Sequence, residues 1–318
     1  MIGYQGVTFK KNRGLLQKNM QEEQIKSGMV AIVGPPNAGK STLMNTLLGQ
    51  KISIVTPKPQ TTRNRIVGVV NGTDFQAVLL DTPGLHKARQ PLNLEMVKIA
   101  LASLSEVDVI LFLIDVSLPM PEKQSRAVQY LDGTNCPAIL VLNKVDLIDK
   151  EKLLPMIQTY KELYPFAAIM PVSALHNSGT DLLIKELVSL LPEGPKYYPD
   201  DIPTDATERF IVGEIIREKI FLMTGQEIPY ATAVLIDSFK EDVKKHLVTI
   251  HATIVVEKSS QKGIVIGKRG SKLEQIGKNA RLDIEKLLAQ KVLLKLWVKV
   301  QKNWSKDRRF LKELGFDQ

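Results

Sequence analysis

Gly34-Pro35-Pro36-Asn37-Ala38-Gly39-Lys40-Ser41 lies between the apolar run Met29 to Val33 and a helix-like run opening at Thr42, and its reading decides the fold of the first half of the chain. Strand, glycine-rich turn and helix start in that order make a phosphate-binding loop. From Gly34 through Asn37, Ala38 and Gly39 to Thr42 the backbone N–H groups face phosphate oxygens, Lys40 neutralises their charge, and the Ser41 hydroxyl ligates Mg²⁺.

The base is read about a hundred residues on, where the apolar run Ile139 to Leu142 ends in Asn143-Lys144-Val145-Asp146. In an α/β sheet ligands gather at the carboxyl ends of strands. A carboxylate at Asp146 accepts from both N1–H and the exocyclic amine of guanine, Asn143 steadies the loop, and the Lys144 stem covers the ring. Alone the tetrapeptide is equally an ordinary helix cap; behind a phosphate loop it reads as a guanine site. Asp81-Thr82-Pro83-Gly84 closes another apolar run, Ala77 to Leu80. Asp81 holds Mg²⁺ there and the Gly84 N–H reaches a γ-phosphate, where a bland reading would see only a Pro-Gly turn. Gln60-Thr61-Thr62-Arg63 follows two prolines and is a loop, in which Thr62 closes onto Mg²⁺ and the γ-phosphate as a switch. Ser173 and Ala174, after the run ending at Val172, present backbone N–H to the guanine oxygen. The catalytic set is therefore Lys40, Thr62, Asp81 and Gly84, and the metal set Ser41, Thr62 and Asp81.

These five elements, in this order and spacing, resemble the translation-factor-like GTPases. Pro36-Asn37, Thr61-Thr62-Arg63 and Asp81-Thr82-Pro83-Gly84-Leu85 are similar to the branch that contains Era, Der and the tRNA-modifying GTPase MnmE. Leu85 stands where Ras-like proteins carry the glutamine that orients water, so that role falls elsewhere or to a cation. In MnmE-like relatives an asparagine at the place of Asn37 helps bind K⁺ beside the phosphates; the other reading of Asn37 is that it only shapes the loop. The resemblance implies GTP and GDP as ligands, with Mg²⁺ and, through Asn37, K⁺.

A chain of 318 residues, 44% hydrophobic, has core enough for two domains. Cys136 is the only cysteine, which excludes a disulfide framework and a thiolate metal cluster. His86, His176, His246 and His251 are scattered without ligand spacing and read as structural. No apolar run approaches the ~18 residues of a membrane span, and the N-terminus lacks the apolar core of a secretory signal, so a soluble cytoplasmic protein is expected. From Lys240 onward 19 Lys and Arg face 9 Asp and Glu, while the first 239 residues hold 24 against 25. The basic character, and with it a polyanionic partner or merely a solvated face, belongs to the C-terminal part.

Pro192 to Pro203 is too rich in proline to continue the helix-like run Asp181 to Leu191, and reads as a linker. Beyond it, Thr207 to Met223 predicts a helix and Tyr230 to Phe239 a strand. Val248, Ile250, Ala252, Ile254 and Val256 alternate with polar residues, as do Val292 to Val300 with Lys295 and Lys299 facing away. Leu273, Ile276, Ala280, Ile284 and Leu287 recur at helical spacing over such an apolar sheet face. Gly267-Lys268-Arg269-Gly270, between helical turns, lets backbone approach a sugar-phosphate chain while the two cations and Lys272 supply charge. A lone G-x-x-G is weak; in a helix-strand-strand-helix-helix-strand-helix order it reads as the clamp of a type II KH domain on single-stranded RNA, against the alternative of a plain helix-turn-helix corner.

The fold class expected is an α/β P-loop GTPase domain, with a mostly parallel sheet and helices on both faces, followed by an α+β type II KH domain. The expected division is an N-terminal extension 1–27, a GTPase domain 28–191, a linker 192–204, and a KH domain 205–318 with a basic C-terminal tail. One GTPase domain followed by a KH domain with an intact clamp resembles the Era family over about residues 28 to 315. That resemblance implies binding of the single-stranded 3′ end of 16S rRNA, assembly of the small ribosomal subunit, release after hydrolysis, a monomer, and no DNA partner. It also implies a link to the inner face of the cell membrane and to cell-cycle control, so a GTP-gated regulatory protein with incidental hydrolysis stands as the alternative.

Overall fold

The structure, a computed structural model, describes residues 25–85, 91–118, 127–225 and 227–314. The extension up to residue 24 and His86 lie outside the described residues. The chain forms two compact units, one of Ile25–Ile211 with the segment from Asn303, the other of Val212–Lys302.

The first unit is built on a sheet of β1 (Ile25–Val33), β2 (Ile66–Asn71), β3 (Phe75–Asp81), β4 (Val109–Asp115), β5 (Ala138–Asn143) and β6 (Ala168–Val172), in the order β2-β3-β1-β4-β5-β6. Only the β2–β3 pair in that path is antiparallel. Every residue of β4 and of β5 is buried, as a parallel strand covered on both faces requires. Helix α1 (Lys40–Leu48) packs on β2 and β3; on the opposite face Ala100 of α2 (Pro91–Ala102) and Tyr160 of α3 (Leu153–Leu163) join Ala31, Phe112 and Leu140 in one core. Helix α4 (Thr180–Leu190) packs on β6 and β1. Each buried Leu, Ile or Phe contributes about 1.5–3 kcal/mol. That burial fixes the strand ends from which the loops spring.

The prolines of residues 192–204 stop α4 as expected, yet the segment is laid against the first unit. Glu193–Gly194 pair with β1 as strand β7. The Val69 N–H donates to Pro203 O at 2.8 Å, Thr204 Oγ1 to Val67 O at 2.6 Å, and Gln76 Oε1 accepts from the N–H groups of Tyr197 and Tyr198. The cause is the outer edge of β2, whose free backbone groups find partners in the passing chain. The C-terminal segment differs from the expected division too. Trp304 is fully buried with Phe310 edge-on at 5.8 Å, the Arg63 guanidinium lies 5.9 Å from its ring, and Asn64 Nδ2 donates to Leu314 O. A charge balance by sequence position cannot foresee this, because two aromatic residues rather than the surrounding lysines decide where the segment packs.

The second unit begins within α5 (Glu208–Met223) and continues through β8 (Thr232–Asp242), β9 (Leu247–Val256), α6 (Ser259–Ile266), α7 (Ser271–Leu288) and β10 (Lys291–Val300). Its sheet runs β10-β9-β8, with β10 parallel and β8 antiparallel to β9. Val248, Ile250, Ala252, Ile254 and Val256 are buried, and Ile276, Ala280 and Ile284 of α7 are buried with them. Lys219 of α5 donates to Asp283 of α7 at 2.5 Å and to Glu218 at 3.0 Å, so the charges enclosed between the helices are paired. Helix α8 (Arg308–Glu313) belongs to the C-terminal segment.

Candidate functional site

The loop from Gly34 to Gly39 joins β1 to α1, and its backbone is bent where the sequence allows it. Gly39, the residue before α1, has φ 95°, and a Cβ there would sit 2.2 Å from Asn143 Nδ2. Only glycine serves at that position. With no side chain capping α1, the first N–H groups of the helix open into a cavity of about 320 Å³ lined by Asn37, Gly39, Lys40, Ser41, Thr42, Thr62, Gly84 and Lys144 among others. Helix N-terminus and lysine together make a seat for phosphate. Lys40 is 6% exposed and folds its ammonium back onto Gly34 O at 3.1 Å and Pro35 O at 2.9 Å. Burial lowers its pKa to about 8, with the Asp81 charge acting the other way.

Residues far apart in sequence meet at one end of this cavity and behind it. Ser41 Oγ and Thr62 Oγ1 are 2.8 Å apart. Asp81, fully buried at the end of β3, accepts from Ser53 Oγ at 2.9 Å through Oδ2, while its Oδ1 is buried with no hydrogen-bond partner among the described residues. Burial pushes the Asp81 carboxyl up, and the Ser41 and Lys40 neighbours and the Ser53 hydroxyl pull it back down. A buried carboxylate oxygen left without a donor beside two hydroxyls is a hard oxygen donor set, which fits Mg²⁺.

On the base side Asn143, 2% exposed at the end of β5, donates from Nδ2 to Ala38 O at 2.7 Å and accepts from the Ala174 N–H at 3.0 Å. One side chain thus locks the phosphate loop to the loop carrying Ser173 and Ala174. Lys144 takes the left-handed conformation, φ 68°, and its ammonium meets Asp115 Oδ2 at 2.5 Å. Asp146 lies in the short turn Val145–Leu147, with His176 Nε2 3.7 Å from its Oδ2. Asn37, at φ 62°, donates to Pro57 O at 3.0 Å and so ties the phosphate loop to the segment leading into the Thr62 loop. Leu85 is 3% exposed in the core beside α2 and α3, with its N–H on Gly34 O.

Four supporting residues were not singled out from the sequence. Asn45 of α1 accepts from the N–H groups of Ile52 and Ser53 and donates to Ser53 O, which holds Ser53 against Asp81. Thr46 donates to Ala174 O, and Asp115 receives Lys144. Only Asp115, at the end of an apolar run, carried a readable sign; the rest act through contacts that no spacing encodes.

In the second unit Gly267, φ 74°, ends α6 and Gly270, φ 82°, precedes α7, with exposed Lys268 and Arg269 between them. A Cβ on Gly267 would lie 2.7 Å from the Lys272 Cβ, so backbone is presented at that corner in the space a side chain would take. Beside it opens a groove of about 540 Å³ lined by Gly270, Leu273, Glu274, Gly277, Lys278, Arg281, Leu294 and Leu296. Leu273, expected on the core face of α7, lines this groove instead. Lys278 and Arg281 recur at helical spacing behind Gly270 and were legible only once the groove face was known.

Comparison with known proteins agrees with this two-part layout. The profile of a family described as 50S ribosome-binding GTPase matches residues 29–144, and that of the KH domain matches residues 227–305. The chain is 52% identical over 297 residues to GTPase Era of Geobacter metallireducens, covering 93% of this chain and 100% of the relative. It is 48% identical to GTPase Era of Syntrophus aciditrophicus, covering 92% and 96%. Among solved structures it is similar to Era from Aquifex aeolicus, a single-site variant bound to GDP·AlF₄⁻, at TM-score 0.88 and 39% identity. It is equally similar to Era in complex with MgGDPNP and nucleotides 1506–1542 of 16S ribosomal RNA, at TM-score 0.89 and 40% identity; each covers 92% of this chain and 100% of the other.

Proposed function

The chain belongs to the Era family of GTPases, and from that premise we propose that it hydrolyses GTP as an assembly factor of the small ribosomal subunit, holding the single-stranded 3′ end of 16S rRNA in its second unit and releasing it after hydrolysis. The observation that carries the nucleotide half is the convergence of Lys40, Ser41 and Thr62 on one cavity, with the buried Asp81 beside Ser41 and Lys40 and with Asn143 bridging the phosphate and base loops.

The roles follow from chemistry. The N–H groups of Gly34 and of Asn37 to Thr42, with the Lys40 ammonium, receive the β- and γ-phosphates and offset charge that grows in the transition state. Ser41, Thr62 and Asp81 are the residues that would hold Mg²⁺, and the ion when bound would polarise the phosphate oxygens. Thr62 is the residue whose engagement depends on a γ-phosphate, so its loop relaxes after hydrolysis. Gly84 offers its N–H to the same phosphate. Asp146 reads guanine, Lys144 covers the ring from a position fixed by Asp115, and Ala174 and Ser173 serve the guanine oxygen. Because Leu85 is enclosed in the core, no side chain at that position aligns the attacking water; the resemblance to MnmE-like proteins implies that Asn37 would help hold a K⁺ ion beside the phosphates in that role. Gly267 to Gly270, with Lys272, clamp the RNA backbone, and the adjoining groove takes about four nucleotides.

The test combines both units. In a double variant, Gly267→Asp with Gly270→Asp, two carboxylates stand where backbone must meet phosphate, so affinity for an oligonucleotide of the 16S 3′ end should fall by roughly a hundredfold or more. GTP turnover without RNA should stay near wild type, and any stimulation by the oligonucleotide should vanish. RNA binding undiminished in the double variant would refute the clamp.

A further inference from the structure

Strand β10 divides its side chains between two faces of the second unit. Its even-numbered residues point to the helices, and Leu294 and Leu296 among them line the groove beside the clamp. Its odd-numbered residues, Lys291, Leu293, Lys295, Trp297 and Lys299, stand on the opposite, open face. Trp297 is 55% exposed and Leu293 44%, unusual for large apolar groups on one face of a sheet, with Lys295 between them. The His251 ring of β9 supports Trp297 from one side at 5.8 Å.

Charge on this face is one-sided. Lys291, Lys295 and Lys299 recur every ~13 Å along β10, and no ion pair engages them among the described residues. The acids of β8, the far strand of the sheet, are taken: Asp237 accepts from Thr253 Oγ1 at 2.7 Å, Glu241 from Gln290 Nε2 at 2.7 Å, and Asp242 caps the turn at Lys245. Lysines on an edge strand also discourage sheet-to-sheet pairing. That account leaves a half-exposed tryptophan among them without a purpose. An aromatic ring flanked by cations is the arrangement that stacks a base while neutralising the phosphates on either side.

We propose that this open face is a second contact surface for single-stranded RNA, on which a strand leaving the groove crosses the β10 edge, stacks a base on Trp297 and lays its phosphates along Lys295 and Lys299. The proposal rests on the reading of the groove as an RNA site and extends it, since β10 is common to both faces. A four-nucleotide oligomer then occupies the groove alone, and a longer one reaches Trp297.

The experiment titrates the full chain with four- and ten-nucleotide oligomers of the 16S 3′ end. It reads affinity, its salt dependence and tryptophan emission; Trp304, the other tryptophan, is buried. The ten-nucleotide oligomer should quench emission and the short one should not. Trp297→Ala should weaken the long oligomer about tenfold and leave the short one unchanged, with Trp297→Phe restoring most of the loss because it still stacks. Lys295→Gln with Lys299→Gln should lower the salt slope for the long oligomer by about 1.4. Equal affinity and salt slope of wild type and variants for the long oligomer overturn the proposal, as does loss of both oligomers alike. A Gly267→Asp, Gly270→Asp variant that keeps full affinity for the short oligomer would sink the groove reading, whereas the open face stands or falls with the Trp297 variants.

Discussion

Raising the pH from 7.0 to 8.5 should make nucleotide binding draw a proton from solution, and Lys40 is the reason. In the nucleotide-free fold its ammonium is buried against two carbonyls, and loss of hydration lowers its pKa to about 8, with Asp81 only partly offsetting the loss. Phosphates entering the loop surround the same nitrogen with negative charge and hold it protonated. At pH 7.0 about a tenth of free protein lacks the proton, and at pH 8.5 about three quarters does, so uptake on binding should rise from ~0.1 to ~0.8 proton and apparent affinity fall about fourfold. Calorimetric titration of GDP with Mg²⁺, in two buffers of different ionisation enthalpy at each pH, measures the uptake directly. Lys40→Arg, which stays charged at both pH values, should show no rise. Uptake that is flat from pH 7.0 to 8.5, or a rise that persists in Lys40→Arg, refutes the reasoning. The stability of the free protein carries the opposite sign. With the folded pKa below the unfolded value, the buried ammonium destabilises the fold below pH 8, and that cost is relieved as pH climbs from 8 towards 10.5.

Asp146→Asn should shift preference from guanine to xanthine nucleotides, since an amide donates where the carboxylate accepted; competition between GTP and XTP decides it, and unchanged selectivity would place base recognition elsewhere. Ser53→Ala removes the donor to a fully buried carboxylate, so chemical denaturation should show a loss of about 1–3 kcal/mol. The same variant should need more Mg²⁺ to reach full nucleotide affinity, and if neither quantity moves, Ser53 does not position Asp81. Hydrolysis should run faster in K⁺ than in Na⁺, and Asn37→Ala should abolish the difference; equal rates in both salts would leave Asn37 as the tie between the phosphate loop and Pro57 that its hydrogen bond makes it.

Local chemistry made the phosphate loop legible. A glycine forced to φ 95° before a helix, a lysine and a hydroxyl within eight residues, and apolar runs ending in Asp81 and Asn143 are properties of short stretches of chain, so their spacing survives in the sequence. The same holds for the corner from Gly267 to Gly270, where two glycines at positive φ bracket two cations, and for the alternation in β9 and β10 that announced a one-sided sheet. What tertiary structure alone decided was which distant groups complete these pieces. Ser53 reaches Asp81 across 28 positions, Asp115 reaches Lys144 across 29, and Asn143 joins loops 105 and 31 positions away. None of these partners repeats at a helical or strand period, and each depends on how parallel strands set their ends side by side. The segment after Lys302 makes the same point. Its lysines and arginines gave it a basic signature, but a buried Trp304 packed on Phe310 and Arg63 fixed its place, because enclosing an aromatic ring outweighs the weak pull of solvated surface charges.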